Sequence, residues 1–416
     1  MKTILATAYD INPYKGSESG TGWNFILQIS RFNKVVAVTR LNNRGNIEKF
    51  IRDNGIDVEN ISFHYYDLPY FLRFWKRGSR GSFLYYNLWQ VGLVLDVFIK
   101  NLKFDFVQHI NFHADHVPSF LWVFRKPFIW GPINHNEPIP KQFTTTKLVF
   151  IKDRLTFLIK YIRWYCDPLI YLCSKSATVV IGSNSSVQSR LRIPDDRFHK
   201  ISTVGTSAPE LQEDKVHHDI KLSTAAPFTL ISVGRFVPIK SFDISIRAFN
   251  EFYCSLTKKE RNEVRFILVG DGPLKAELKS VVNSLECCDA VEFIKWIEQQ
   301  ALFDLYQHSA VMVAPSHEGA GAVIAEAQSY GLPVICFDNF GAGELIDKRS
   351  GIVVEQSSYM DSYTAMGSAM VNLYRDNDLY SRLRKGSFDN FEKNLSWDSK
   401  GDKLNIIYKS ITSRGI

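Results

Sequence analysis

The sequence predicts an α/β protein with two domains, each built on a parallel sheet. Three observations carry that expectation. Short apolar runs alternate with amphipathic stretches of about 10–15 residues, cleanly in the second half and less cleanly in the first, which is the pattern of βαβ units. At 416 residues the chain is too long for one ordinary core, and length alone suggests two or three domains. A hydrophobic fraction of 45% and a charged fraction of 22% are those of a globular protein.

In order, strands are expected over 3–8, 35–39, 61–66, 104–110, 127–130 and 178–181, and helices over 22–31, 45–54, 83–100 and 147–173. A polar stretch over 207–227, containing Glu213-Asp214-Lys215 and His217-His218, reads as the boundary, because structureless loops of that length are uncommon inside a domain. Beyond it, strands over 228–233, 264–269, 291–294, 310–314, 333–337 and 351–354 alternate with helices over 241–256, 273–285 and 298–308. Ligands of such sheets bind at the carboxyl ends of the strands. The loops holding Gly234, Gly270, Lys295, Ser316 and Asp338 all lie there.

The most informative stretch is Pro315-Ser316-His317-Glu318-Gly319-Ala320-Gly321-Ala322-Val323-Ile324-Ala325-Glu326-Ala327. An apolar strand leads in, Gly319 and Gly321 let the backbone bend, and a short helix follows that stops at Gly331 before Pro333. Strand, glycine turn and helix start together aim free N–H groups at an anion. Glu318 in the turn and Glu326 in the helix, with seven residues between them, can grip different parts of one elongated ligand. Gly234-Arg235-Phe236-Val237-Pro238-Ile239-Lys240 places two cations on another strand-to-helix loop, and an Arg fork with a Lys point charge suits a diphosphate. Gly16-Ser17-Glu18-Ser19-Gly20-Thr21-Gly22-Trp23 reads as a second phosphate-type turn.

His109, His113 and His116, with Asp115 nearby, flank the end of the strand over 104–110. No second ligand cluster supports a metal there, and a single histidine could instead position a reacting hydroxyl or make ordinary hydrogen bonds. The six cysteines form no Cys-x-x-Cys pair and read as reduced thiols of a cytosolic protein. The N-terminus reads as a first strand, not a signal sequence, and no uninterrupted apolar run reaches the roughly 18 residues of a spanning helix. Residues 1–200 carry 27 Lys and Arg against 15 Asp and Glu; the remainder carries 23 against 28. A basic first half suggests contact with phosphates. Residues 70–86 and 150–173 mix aromatic or aliphatic residues with Arg73, Lys76, Arg77, Arg80, Lys152, Arg154, Lys160 and Arg163, a composition that can lie on an anionic membrane or simply solvate its charges.

Gly234-Arg235…Lys240, Gly270-Asp271-Gly272-Pro273, Pro315-Ser316-His317-Glu318-Gly319…Glu326-Ala327 and Gly331-Leu332-Pro333-Val334 resemble, in order, the motifs of retaining, nucleotide-sugar-dependent glycosyltransferases of family 4 (group 1). The likeness spans nearly all of the second half. It is thinner in the first, where residues 13–22 look like the family's glycine loop and Trp130-Gly131-Pro132 with Asn134-His135-Asn136-Glu137 resembles a stretch of bacterial polysaccharide-type members. The resemblance implies the GT-B fold, two Rossmann-like domains facing across a cleft. Residues 1–207 would be the acceptor domain, 208–227 a linker, 228–395 the nucleotide-sugar domain, and 396–416 a helix crossing back to the first domain.

It further implies that Arg235 and Lys240 hold the donor diphosphate, with Gly234 in the same loop. Glu318 and the amides of Gly319, Ala320, Gly321 and Ala322 would meet the donor sugar, and Glu326 the ribose. Trp296 and Ile297 would flank the base, Gly16 would approach phosphate or acceptor, and His113, five residues before Pro118-Ser119, would contact the sugar. Ala320, Lys295 and Gln328-Ser329 stand where the family usually has Phe, Gly and Met-Ala, which leaves donor identity open. The implied activity is transfer of a sugar to a saccharide or polyprenyl-linked acceptor in surface polysaccharide synthesis. No cofactor or metal would be required, no nucleic acid would be involved, and the site would be cytoplasmic or on the inner membrane face. Such chemistry needs a stabilised leaving diphosphate more than a nucleophile, and the two cations supply that charge. Two rivals remain. Gly16–Gly22 with Tyr171…Lys175 mimics a short-chain dehydrogenase, and a sugar-binding subunit without catalysis would keep the same pocket.

Overall fold

The computed structural model describes residues 1–76, 78, 81–144, 146–209 and 227–413. It divides into two compact units, one of Met1–His135, Ile159–Thr203 and Trp397–Ile416, the other of Asn136–Leu158 and Val204–Ser396.

The first unit holds seven strands: β1 (Thr3–Ala8), β2 (Lys34–Thr39), β3 (Ile61–Tyr65), β4 (Phe106–Asn111), β5 (Phe128–Ile133), β6 (Val179–Gly182) and β7 (Phe198–Lys200). They lie in the order β3-β2-β1-β4-β5-β6-β7, and the neighbours pair in parallel. Central strands of a parallel sheet are covered on both faces, so β4 and β5 are buried throughout; β5 is a nearly continuous apolar run, whereas β4 also buries Gln108, His109 and Asn111. The helix Ser17–Ser30 and the last helix, Trp397–Ser413, contribute Trp23, Ile26, Ile29, Trp397, Leu404, Tyr408 and Ile411 to the core of this unit.

Three expectations change here. Ser17 through Thr21, expected in a turn before the helix over 22–31, already belongs to the first helix. Gly20 and Gly22 serve close packing: a Cβ on Gly20 would stand 2.3 Å from the Lys15 carbonyl oxygen and one on Gly22 2.7 Å from that of Asp10. The helix expected over 147–173 is two helices, Lys147–Cys166 and Pro168–Ser176, because Pro168 cannot continue the hydrogen-bond ladder and Asp167 caps the second by accepting from the Leu169 amide at 2.9 Å. The short strand β7 was not anticipated. The helix Ser82–Ile99, 18 residues with mean hydropathy 1.3, is long and apolar enough to cross a membrane by length and composition, although Asn87, Gln90 and Asp96 interrupt its apolar run. One face of it, with Tyr85, Tyr86, Trp89, Leu93 and Val97, is buried.

The second unit holds β8 (Phe228–Val233), β9 (Val264–Val269), β10 (Val291–Ile294), β11 (Val311–Ala314), β12 (Val334–Phe337) and β13 (Gly351–Val354), parallel in the order β10-β9-β8-β11-β12-β13. Residues 136–158, expected in the first domain, belong to this unit. Ile139 and Phe143 are buried in its core beside Phe236, Phe242 and Phe337, and the Gln142 side chain donates to the Ser357 carbonyl at 3.0 Å. Most of the expected linker, including Glu213-Asp214-Lys215 and His217-His218, lies outside the described residues, as do Arg77 and Arg80.

Candidate active site

In the second unit the chain runs outward from β8 to β10 on one side and from β11 to β13 on the other. The reversal falls between β8 and β11, where the loops leaving both carboxyl ends diverge and a crevice opens. The loop after β8 carries Gly234, Arg235 and Lys240; the loop after β11 carries Ser316 to Gly321. The two predicted motifs therefore meet because their strands are neighbours.

Contact is direct. Lys240 Nζ stands 2.8 Å from Glu318 Oε2, both side chains partly buried. The His317 amide donates to the Ile239 carbonyl at 2.9 Å and ties one loop to the other. Ser316 Oγ accepts from the Glu318 amide at 3.2 Å, Asn136 Oδ1 accepts from the Gly319 amide at 2.7 Å, and Asn339 Nδ2 donates to the Ser316 carbonyl at 2.8 Å. The loop is held too closely for side chains at two points. A Cβ on Gly341 would lie 1.7 Å from the Glu318 carbonyl oxygen, and one on Gly270 (φ 152°) 1.9 Å from that of Gly234. A narrow cavity of about 20 Å³, lined by Ser232, Lys240, Ser316, Glu318, Ala320 and Gly321 among others, lies between the loops. That is room for about one water, so the ion pair fills the space that the two motifs frame.

Arg235 is exposed and forms no ion pair among the described residues. Gly321 caps the helix Ala322–Ser329, which carries Glu326. The Tyr306 hydroxyl donates to Glu326 Oε2 at 3.3 Å, and burial holds the carboxyl above its ordinary range, partly offset by that bond. Buried His317 is sandwiched between Phe143 and Phe337, ring centroids 5.1 and 5.3 Å away, and burial lowers its pKa to about 4. Trp296, 77% exposed, and Ile297 follow β10, the edge strand, with β9 between them and β8. Described contacts do not join them to the cavity. Gln328, one of the departures from the family pattern, is fully buried, donating to the Ser350 carbonyl at 3.2 Å and accepting from Asn390 at 2.6 Å, so its role is to pin its helix.

The first unit reverses between β1 and β4. Gly16 precedes the helix after β1 with open space around it, and His113 follows β4. These two predicted features meet through Glu18, whose Oε1 accepts from the His113 amide at 3.2 Å. His113 Nδ1 donates to the Pro132 carbonyl at 3.0 Å, which leaves Nε2 as the lone-pair nitrogen, buried and without a partner among the described residues. His109 is instead a core residue, fully buried, with Nε2 on the Phe112 carbonyl and its pKa lowered to about 4 by burial. Buried Asp115 holds His135 Nδ1 at 2.7 Å, with His116 at 3.6 Å. Among the described residues no group of three or more His, Cys, Asp and Glu side chains is placed to hold a metal ion. The dehydrogenase-like pair fares poorly: Tyr171 is 64% exposed on its helix, and two of the three glycines that would cradle a cofactor, Gly20 and Gly22, lie inside another helix.

Sequence reasoning missed Asn136 as a ligand of the Gly319 amide, Asn339 and Gly341 as the clamp on the glutamate loop, and Tyr306 as the partner of Glu326. Only Asn136 carried a signal, as part of the stretch over 134–137.

Comparison with known proteins finds matches over the second unit and over the fold as a whole. Residues 227–376 match the family model "Glycosyl transferases group 1". A D-inositol 3-phosphate glycosyltransferase of Catenulispora acidiphila is 32% identical over 149 residues, 34% of this chain and 34% of that one. A GDP-mannose-dependent monoacylated alpha-(1-6)-phosphatidylinositol monomannoside mannosyltransferase of Corynebacterium glutamicum is 25% identical over 211 residues, 49% of this chain and 52% of that one. The matches thus span about a third to a half of these curated relatives' length. Anabaena Alr3699/HepE, solved with UDP and glucose, superposes over 99% of this chain and 100% of its own, with TM-score 0.59 at 15% identity. At that identity the likeness is one of fold, the two-domain GT-B fold.

Proposed function

Because residues 227–376 match the group 1 glycosyltransferase model, we propose that the protein is a retaining glycosyltransferase that moves a hexosyl group from a nucleotide sugar to a hydroxyl of a saccharide or lipid-linked oligosaccharide in surface polysaccharide synthesis. The supporting observation is the Lys240–Glu318 pair across the β8/β11 reversal, with Arg235 on the same loop and Glu326 behind it. In this reading the donor's diphosphate takes Lys240 from Glu318 and joins Arg235, and the freed Glu318 carboxylate accepts from sugar hydroxyls. Glu326 accepts from the ribose. Ala320 and Gly321 already border the cavity. The acceptor oxygen bonds the anomeric carbon on the face from which the diphosphate departs. The carbon–oxygen bond breaks with its electron pair going to phosphate, and the acceptor's proton passes to that phosphate oxygen. Arg235 and Lys240 stabilise the charge that develops. With those cations in place the reaction requires no divalent ion and no cofactor. His113 keeps Nε2 without a partner among the described residues at the first unit's own reversal, which suits it to accept from a sugar hydroxyl. UDP, bound by Anabaena HepE, is the first nucleotide to try.

The same reading places the protein in the cytoplasm, peripheral to the membrane. Exposed Leu84, Leu88, Val91, Leu95 and Phe98 stripe one helix, and Leu148, Ile151, Leu155, Leu158 and Ile162 stripe another, among Lys147, Lys152, Arg154 and Lys160. Apolar stripes bordered by cations suit an anionic surface. The function is tested by nucleoside diphosphate release from a panel of nucleotide sugars in the presence of EDTA, and the location by flotation with anionic liposomes. Failure to turn over any nucleotide sugar refutes the first; failure to co-migrate refutes the second.

A further inference from the structure

The first unit contains a second cavity, of about 390 Å³, lined by Arg40, Asn42, Asp67, Tyr70, Arg73, Phe74, Lys76 and Tyr85. It lies at the carboxyl ends of β2 and β3, where a parallel sheet receives ligands. Its volume is within the range of small-molecule sites. Neither the motifs of the sequence nor the proposed donor site accounts for it.

Three cations face this space, and the carboxylates present leave donors over. Arg40 donates through Nε to the Tyr9 carbonyl and through Nη2 to Asp10, both at 3.1 Å, which leaves Nη1 uncommitted. Arg73 Nη1 stands 3.6 Å from Asp67 Oδ2, and its Nε is buried without a partner among the described residues. Lys76 Nζ sits 4.9 Å above the Tyr85 ring and forms no ion pair among the described residues. Asp67, the one carboxylate in the wall, also accepts from the Tyr85 hydroxyl. Burial, together with Arg40 and Arg73, lowers the Lys76 pKa, so the three cations crowd one another. A polar cavity with forked and point cations and spare N–H donors suits a multiply charged phosphate better than a single carboxylate.

Exposed apolar residues adjoin this lining. Tyr70, Phe71 and Phe74 are among the exposed large hydrophobic residues, and the stripe Leu84, Leu88, Val91 and Leu95 continues along the adjoining helix. Arg40, in turn, holds Asp10, at the start of the loop that ends in Gly16. The lining is thus linked through Arg40 and Asp10 to the loop that ends in Gly16, and through Tyr70 and Phe74 to exposed apolar residues.

We propose that this cavity, through Arg40, Arg73 and Lys76, binds the phosphate or diphosphate of the acceptor, whose apolar chain leaves over Tyr70, Phe71 and Phe74. The inference rests on the glycosyltransferase reading and specifies its acceptor: a prenyl-type phospholipid whose saccharide extends toward Gly16 and His113.

The test is calorimetric titration of the full-length protein with a short-chain polyprenyl diphosphate, with inorganic diphosphate and with the matching polyprenol, all in excess UDP so that the second unit's cations are occupied. The prenyl diphosphate is expected to bind at least ten-fold more tightly than either fragment. The double substitution Arg73→Gln/Lys76→Gln should weaken it at least ten-fold while UDP affinity holds. Should the double variant melt early, Lys76→Gln alone, which breaks no ion pair, serves in its place with a loss of several-fold. Wild-type affinity in the variant, or no binding by the parent, overturns the proposal. Equal affinity for prenyl and inorganic diphosphate overturns its apolar half. UDP binding measured separately keeps a failure here distinct from a failure of the donor-site reading.

Discussion

The reversal point of the second unit takes its ligand groups from two short stretches, Gly234–Lys240 and Ser316–Glu326. That of the first unit draws on scattered ones: Gly16 and Glu18 after β1, Arg40 after β2, Asp67 after β3, Arg73 and Lys76 beyond it, and His113 after β4. The second site is also closed on itself, with Lys240 on Glu318 and the Gly319 amide on Asn136, whereas the first keeps three crowded cations around an open cavity. On the proposed reading, a site that must hold the same diphosphate chemistry is written into contiguous motifs, and one for a variable, elongated partner is assembled from loop residues that only the tertiary fold brings together.

The largest effects should separate the two units by reaction step. Lys240→Ala, Arg235→Ala or Glu326→Ala is expected to lower sugar transfer by about 10²–10³-fold, the scale of one lost charge-stabilising group, with the melting temperature nearly unchanged. Product formation under saturating donor and acceptor measures it. Near-normal rates in all three would break the comparison at its root, because the closed pair would then be structural.

This contrast explains what was legible. All six strands of the second unit could be read from their apolar runs, and the motif loops followed because βαβ order puts consecutive loops at one sheet edge. Placement of residues 136–158 was not legible. Ile139 and Phe143 look like any apolar pair, and only the packing of Phe143 against His317 and Phe337 shows which core they enter. The turn expected over Gly16–Gly22 failed for a related reason: glycine signals conformational freedom and close approach alike, and here Gly20 and Gly22 answer to the second. Asn339, Gly341 and Tyr306 act across long sequence separations without a local pattern, so their place in the site emerges only from coordinates.

Next in size comes a paired glycine substitution. Gly270→Ala forces a Cβ to within 1.9 Å of the Gly234 carbonyl oxygen at φ 152°, whereas Gly16→Ala meets nothing within 4 Å. The first should cost at least about 1–3 kcal/mol and loosen the loop that carries Arg235; the second should stay within about 0.5 kcal/mol. Differential scanning calorimetry of both variants sharpens the comparison. Equal losses would show that the first unit's loop is as tightly held as the second's.

Acid should strike both units alike, one histidine each. His109 and His317 titrate near pH 4 in the folded chain against an ordinary value of 6.5, burial being the first cause in both. The unfolded chain therefore takes up protons first as pH falls, so stability is full above about pH 6.5 and declines toward pH 4. Each residue accounts for about 2 kcal/mol of loss at pH 5. His317→Phe, which keeps the aromatic sandwich, should remove that share from the second unit only. Denaturant melts at pH 7 and pH 5 measure it, and an undiminished pH difference in the variant would contradict the assignment.

The smallest effect probes the closure of the proposed donor site. Asn136 Oδ1 accepts from the Gly319 amide at 2.7 Å, a neutral hydrogen bond between the segment over 136–158 and the glutamate loop. Its net worth is about 1 kcal/mol, which for a unit of this size corresponds to a melting shift of about 2–4 °C. Asn136→Ala should show that shift, and Asn136→Asp, which keeps the acceptor oxygen, should recover most of it. The released Gly319 amide then becomes available to a bound sugar, so nucleotide-sugar affinity should fall far less than it does in Lys240→Ala. A loss as large as that of Lys240→Ala would mean that the loop's position, not the cation pair, limits donor binding, and the second site would then depend on long-range placement just as the first does.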